Sequence, residues 1–465
     1  MAEHDMDSVP PAADHTPSPK GWSRRNWHRR ASRPVTVWLL LLVVAGAVHT
    51  LIPDYRWVLI HMFTLGAVTN SIVLWSQHLT ERFLHQRLSD EARPWQLRRI
   101  QLLNVGIVVT LAGQILGEWW ELHWTITQVG ALIVGLVLVW HAVSLARQWV
   151  RSDRGTRFRP AALAYVVSAL CLPVGAVIGA LLAMNPAVGL HGRLVLAHLV
   201  VNVLGFVGLA AAGSLTVLFP SIWRTRGIAG HGRPTLTLLT VGVLVTTFGV
   251  LVDSLLAAGL GLTVYVAGWL VSLSGWLRNV GEVMKDPRDR VNYASGSVLL
   301  AVLWLVGTLV HLTVQVFLAD GGVSGVPLPT NQLLIGFAAQ LLIGVMSYLL
   351  PTTMHGGPAA TRAGLREVNR GGLYRLTLIN GGLAIWLATD HSWLRVVSSI
   401  LCLGALAVFL PLLIRAVRAQ RRVITGEADS PKEEDPTPAW GQVTAGVATL
   451  ALLLSIFGGL QGPGA

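Results

Sequence analysis

The stretch HGRLVLAHLVVNVLGFVGLAAAGSLTVLFP, apolar enough after its first three residues to cross a bilayer, carries His191, His198 and Asn202. At about 100° per residue, separations of seven and four return to one side of a helix, so the three share a stripe if the helix extends that far. Polar groups cost several kcal/mol in lipid without partners, so the stripe should face protein or a cofactor. Neutral imidazole is the commonest metal ligand and binds haem iron axially. A second such residue, His61, lies in LIHMFTLGAV. His61 and His198, assisted by His191 or His311, are therefore the candidate ligands of a haem or copper site built where helices converge. His49, His123 and His391 form a lower tier, since a histidine near a membrane surface equally bonds headgroups, water or carbonyls.

The helices that must carry these side chains follow from composition. The chain has 465 residues, 53% hydrophobic and 12% charged, where soluble domains carry about 25% charged residues. It reads as an integral membrane protein, all-α, because a lipid-exposed backbone must satisfy its own hydrogen bonds and no barrel-like alternation appears. About thirteen apolar runs of spanning length recur, near 35–53, 57–81, 98–117, 125–146, 161–183, 194–220, 235–258, 262–281, 294–318, 331–351, 372–388, 392–415 and 440–460.

Net charge is +12, but the basic residues mark topology rather than nucleic acid. Arg and Lys crowd the N-terminus and alternate loops: 82–99, 147–159, 224–233, 278–290, 362–370 and 415–422. The loops between are short and nearly free of them. This predicts a multi-pass protein of the cell membrane, N-terminus cytoplasmic, C-terminus outside. Residues 1–32 read as a disordered basic tail, 33–420 as a twelve-helix membrane domain, 421–438 as an acidic cytoplasmic linker, and 439–465 as a last span. AGA at 45–47 and SRR at 23–25 imitate processing signals, but a long basic head before a full-length span behaves as an uncleaved anchor.

Depth sorts the other histidines. His78, His85, His141, His231 and His355 lie toward the inner side, and His4, His15 and His28 in the tail. His61 and His78 are about 25 Å apart along one helix, too far to share a metal. Cys171 and Cys402 stand alone, without a CxxCH string, so any haem is bound non-covalently. Asn70, Asn104, Asn202, Gln340, Asn380 and Gln315 read as structural groups bonding across helices. Asp253, Glu118 and Glu121 read as solvated acids. Trp38, Trp57, Trp119, Trp120, Trp124 and Trp393, near span ends, read as an aromatic belt. No phosphate-binding loop, nucleophile elbow or HExxH string occurs, and no complete catalytic centre is legible.

An internal repeat supplies the architecture. Gly205, Phe206, Gly213 and Pro220 recur at one constant offset as Gly336, Phe337, Gly344 and Pro351. Arg99, Asn104 and Gly106 recur at a second constant offset as Arg375, Asn380 and Gly382, and Leu65–Gly66 echoes Leu204–Gly205. This predicts three pseudo-repeats of four helices plus one C-terminal helix.

Such an arrangement resembles haem-copper oxidase subunit I, including its nitric-oxide-related and NnrS-like relatives. The resemblance implies ligands near the outer ends of the second, sixth and tenth spans. Spans two and six supply His61 and His198, whereas the tenth begins TNQLLIGFAAQ and has none. The resemblance therefore does not extend to reducing oxygen or nitric oxide at a haem-copper centre. The strings HMFTLGAVTNSIVLWSQH, HGRLVLAHLVVNVLGFVGL and LLIGFAAQLLIGVMSYLLP resemble the membrane module of actinobacterial copper-containing nitrite reductase and multicopper oxidase fusions. That resemblance implies a haem b or copper electron-transfer module between quinol and an extracytoplasmic cupredoxin or copper nitrite reductase. The string GGLQGPGA stands where the copper domains of the fusions begin. A non-redox scaffold or anchor, and a small-solute or metal transporter, are the competing expectations.

Overall fold

The computed structural model describes residues 24–227, 230–354, 356–429, 431 and 437–458. These fold as a helical bundle with no strand among them. In chain order the helices are α1 (Arg24–Ala47), α2 (Tyr55–Phe83), α3 (Ala92–Glu118), α4 (His123–Arg151), α5 (Arg159–Leu182), α6 (Val188–Trp223), α7 (Gly232–Leu251), α8 (Leu255–Lys285), α9 (Tyr293–Leu318) and α10 (Gln332–Thr353). Then follow α11 (Gly357–Val368), α12 (Gly372–Ala388), α13 (Ser392–Ile424) and α14 (Trp440–Gly458). Twelve are long and apolar enough to cross a membrane, and the chain is a multi-pass helical bundle.

The run at 372–388, counted as a span from its hydropathy, forms α12, which at 17 residues is shorter than those twelve. It is enclosed by protein. Tyr374 Oη lies 3.2 Å from Thr449 Oγ1 of α14, and a Cβ on Gly382 would meet the Ser398 carbonyl of α13 at 3.0 Å. Helix α11 is amphipathic and is not among the spans. It docks on α13 through Glu367, which accepts from Arg415 Nε at 2.9 Å.

The sequence boundaries shift at two places. Residues 24–32, assigned to a disordered tail on charge, are the first turns of α1, and Trp27 among them is buried. Arg93 lies over its ring, 5.5 Å from the centroid, an aromatic seat that the charge pattern hides. Residues 421–424, assigned to the acidic linker, continue α13. The rest of the expected tail (1–23), part of the linker (430 and 432–436) and the chain end at 459–465 lie outside the described residues, as does His355.

Neighbouring helices meet through small residues, as expected where no hydrophobic force drives apolar helices together in lipid. In the α3–α4 pair, a Cβ on Gly113 would lie 2.5 Å from Thr127 N, and one on Gly130 would lie 2.4 Å from Thr110 N. The α7–α8 pair repeats the device: a Cβ on Gly249 would lie 2.3 Å from Ala258 N, and one on Gly261 2.3 Å from Thr246 N. The surfaces turned away from these contacts expose leucine and phenylalanine, for example Leu132 (62%), Leu244 (64%) and Phe248 (63%), which suits acyl chains.

A further recurrence was invisible to periodicity. Helices α2, α6 and α10 each contain a π-helical stretch, at Met62–Thr69, Val200–Gly208 and Gln332–Ala339. The wider turn re-aims the residues above and below it. Inside each stretch one glycine receives a neighbour: a Cβ on Gly66 would meet the Trp38 ring at 2.6 Å, on Gly205 the Cys171 Sγ at 2.9 Å, and on Gly336 the Trp304 ring at 2.8 Å. Trp38, Cys171 and Trp304 are evenly spaced along the chain. The indoles go on to donate to an asparagine on a third helix, Trp38 Nε1 to Asn104 Oδ1 (2.6 Å) and Trp304 Nε1 to Asn380 Oδ1 (2.8 Å). Trp38, read as a belt residue, is instead a buried interhelical donor.

Candidate functional site

His61 sits at the point where α2 changes from α- to π-helical winding, and His198 lies two residues before the same change in α6. Their rings face one another with centroids 6.3 Å apart and planes inclined by 43°. Each ring is held by its Nδ1. In His61 that nitrogen is 2.9 Å from the Trp57 carbonyl one turn back, and in His198 it is 3.0 Å from the Gly175 carbonyl of α5. A carbonyl only accepts, so both Nδ1 atoms donate, and in the neutral rings the lone pair belongs to Nε2. Neither Nε2 has a hydrogen-bond partner among the described residues. An imidazole anchored through Nδ1–H to a carbonyl, with Nε2 left open, is the arrangement used by metal-ligating histidines.

Local sequence explains the seating. Trp57 stacks on His61 with centroids 3.8 Å apart and planes 22° apart, so one residue supplies both the ring's carbonyl anchor and its cover. On the α6 side, room is made by Gly175 and Gly179 of α5. A Cβ on Gly175 would fall 2.0 Å from Asn202 Oδ1, and one on Gly179 2.9 Å from His198 Cε1. The stripe of His198 and Asn202 thus faces α5 and not lipid. Trp57, Gly175 and Gly179 are site residues that the sequence reading missed or misplaced. A tryptophan four residues before a candidate ligand, and two glycines four apart on the preceding helix, were the available signals.

The other candidates are not gathered at this pair. His191 is half-buried one helical stretch away on α6, where the loop after α9 packs: a Cβ on Gly192 would meet Ser324 Cβ at 2.8 Å. Asp253 secures that loop by accepting from Val323 N at 2.9 Å, so this acid is structural. His311 is exposed on α9. His49 Nδ1 bonds the Gly46 carbonyl (2.9 Å), and His123 Nδ1 the Gly113 carbonyl (3.0 Å). His391 keeps a buried Nδ1 without a partner among the described residues. Among the inner group, His141 is buried with Nε2 at 2.9 Å from Ser76 Oγ. Among the described residues, no group of three or more His, Cys, Asp or Glu converges as a metal site.

The amides divide. Asn70 and Asn104 exchange bonds at 2.9 and 3.2 Å, and Asn380 accepts from Trp304. Asn202 Oδ1 and both amide atoms of Gln340 are buried without a partner, so for these the expected cross-helix bond is not formed among the described residues. Gln315 is half-buried on α9.

No known protein family matches the chain, and a search of curated proteins returns no relative.

Proposed function

We propose that the chain is a membrane-embedded electron-transfer module in which His61 and His198 hold a haem b or a copper ion. The observation that carries this reading is the pair of imidazoles from two helices, each anchored by Nδ1 to a carbonyl and each with an open Nε2. The rings, with centroids 6.3 Å apart, are close enough that His61 Nε2 and His198 Nε2 would hold one metal between them. Because only these two protein donors come together among the described residues, the group held would be one for which two imidazoles suffice as protein ligands. Such a group supplies one-electron reduction and reoxidation. The chain's own part is to fix both rings in one tautomer, to cover one of them with Trp57, and to enclose them between α2, α5 and α6.

The recurrent π-helical stretches and Trp–Gly contacts support the reading of α1–α10, α12 and α13 as three four-helix units with α14 added, an arrangement resembling haem-copper oxidase subunit I. With the arginine-rich end cytoplasmic, the histidine pair lies toward the outside. There it would pass electrons from membrane quinol to a copper protein of the nitrite reductase type, as the resemblance to the copper-enzyme fusions implies.

The test is optical absorption and metal analysis of the full chain, purified in detergent from cells supplied with haem precursor and copper. The expected result is a Soret band or near-stoichiometric copper that disappears in both His61→Ala and His198→Ala. Colourless, metal-free wild-type protein would sink the redox reading and leave the scaffold or transporter.

A further inference from the structure

Below the histidine pair, about two helical turns further along α2 and α6, the bundle holds a cavity of about 90 Å³ that is open over part of its boundary. Its lining has a threefold order. Six of the lining residues come from α2, their six counterparts at one constant offset come from α6, and six more at a second constant offset come from α10. The remaining one is Tyr165 of α5. One end is ringed by Val68, Val207 and Ala338, and the other by Leu79, Leu218 and Leu349. The space thus lies on the axis about which the repeated helices are arranged, where three convex helices of the same kind cannot fill the centre.

The chemistry of the wall selects the occupant. No charged residue lines the cavity. Its hydroxyls are already engaged: Ser71 Oγ donates to the Ala67 carbonyl (2.8 Å), Ser76 Oγ pairs with His141 Nε2 (2.9 Å), and Ser214 Oγ with Tyr165 Oη (2.9 Å). Water needs two to four polar partners to occupy such a space, and an apolar cavity of about 150 Å³ without them stays dry and takes up xenon or benzene. Anything apolar also concentrates in the surrounding bilayer.

We propose that this axial cavity is a binding site for a small, uncharged, apolar molecule of the size of a noble-gas atom or a diatomic gas. It is separate from the histidine site, since neither His61, His198, Trp57 nor Gly175 lines it.

Xenon is the probe, followed by xenon-129 NMR of the full chain in nanodiscs. Wild-type protein should show a saturable exchange shift above that of empty nanodiscs. Ala211→Phe, which places a ring in the cavity, should reduce it at least fivefold, and His61→Ala should leave it unchanged. Leu342→Ala enlarges the space and should admit benzene, which the wild type excludes. Each variant is compared only when monodisperse and as helical as the parent. If Ala211→Phe fails that criterion, Val345→Phe fills the space from α10. Equal xenon responses in wild type and a folded filled variant overturn the proposal, as does exclusion of benzene by Leu342→Ala. Retention of xenon by wild-type protein that lacks any cofactor supports it while rejecting the redox reading.

Discussion

Asn104 and Asn380 occupy equivalent positions of the first and third units, yet replacing each by alanine should cost different amounts. Asn104 joins three helices: it accepts from Trp38 of α1 at 2.6 Å and exchanges two bonds with Asn70 of α2. Among the described residues Asn380 accepts only from Trp304 of α9. Each also donates to a carbonyl of its own helix, Ile100 or Leu376, at 2.7 Å, a loss common to both variants. Asn104→Ala strands the Trp38 N–H and the Asn70 Oδ1, while the Asn70 amide keeps its bond to the Gly66 carbonyl at 2.8 Å. Asn380→Ala strands one N–H. Interhelical hydrogen bonds in membranes average about 0.6 kcal/mol and reach about 1.7 kcal/mol. The expected losses are therefore roughly 1–3.5 kcal/mol for Asn104→Ala and about half that for Asn380→Ala. Trp38→Phe combined with Asn104→Ala should be less than additive, because the two residues share one bond. Unfolding in mixed detergent, read by a thiol-reactive dye, is suited to the question because Cys402 is buried and Cys171 half-buried. Equal or reversed costs would show that the helices are held by packing alone and that the three-helix bond network contributes nothing.

Three further outcomes follow from the same contacts. Gly175→Ala forces a methyl to within 2.0 Å of Asn202 Oδ1 and shifts the carbonyl that anchors His198, so it should abolish whatever absorption His198 supports; Gly189→Ala, where nothing lies within 4 Å, should be inert in spectrum and thermal unfolding. Burial raises the Glu367 carboxyl, but hydrogen bonds and charge from Arg415 and Arg370 outweigh it and hold the group below its ordinary value. Its stabilising contribution is thus complete above the unfolded carboxylate range near pH 4.3 and is lost as pH falls through the lower folded value. Protection of the α11 amides, corrected for the intrinsic pH dependence of exchange, should therefore be unchanged between pH 7 and 5 and fall below about 4, and Glu367→Gln should show the lower protection already at neutral pH.

The sequence made the spans legible because hydropathy and the alternation of arginine-rich loops are properties of single segments. It made half of the repeat legible for a related reason: glycine and asparagine recur at constant offsets, and their spacing needs no knowledge of neighbours. What it concealed was pairing. Trp38 looked like an interfacial residue because its place near a span end is a one-dimensional fact, whereas its bond to Asn104 joins helices 66 residues apart. Helix α12 was counted as an ordinary span because its hydropathy says nothing of the helices around it. Of the ligand candidates, His61 and His198 come together, but the ranking of His191 and His311 rested on depth alone, and depth does not say which way a side chain points. His311 shares the predicted level yet faces outward on α9.

The middle unit shows why position and chemistry separate in this bundle. Where the first and third units place a tryptophan against the glycine of the π-helical stretch and bond it to an asparagine, the middle unit places Cys171 and Val243 around Gly205. No indole–amide bond ties α5 to α7 among the described residues. Helix α5 is held to α6 in other ways: Ser168 Oγ donates to the Phe206 carbonyl at 2.6 Å, Tyr165 Oη pairs with Ser214, and Gly175 accepts from His198. The contact of His198 with a backbone carbonyl is thus part of the packing of the one unit that lacks the Trp–Asn bond. A variant that installs that bond, Cys171→Trp with Val243→Asn, should clash with the α5–α6 approach and unseat His198, because the histidine and the repeated tryptophan device compete for the same interhelical spacing. Loss of the His198-dependent absorption in a variant that stays folded is the expected reading, and an unchanged spectrum would show that the two devices are independent.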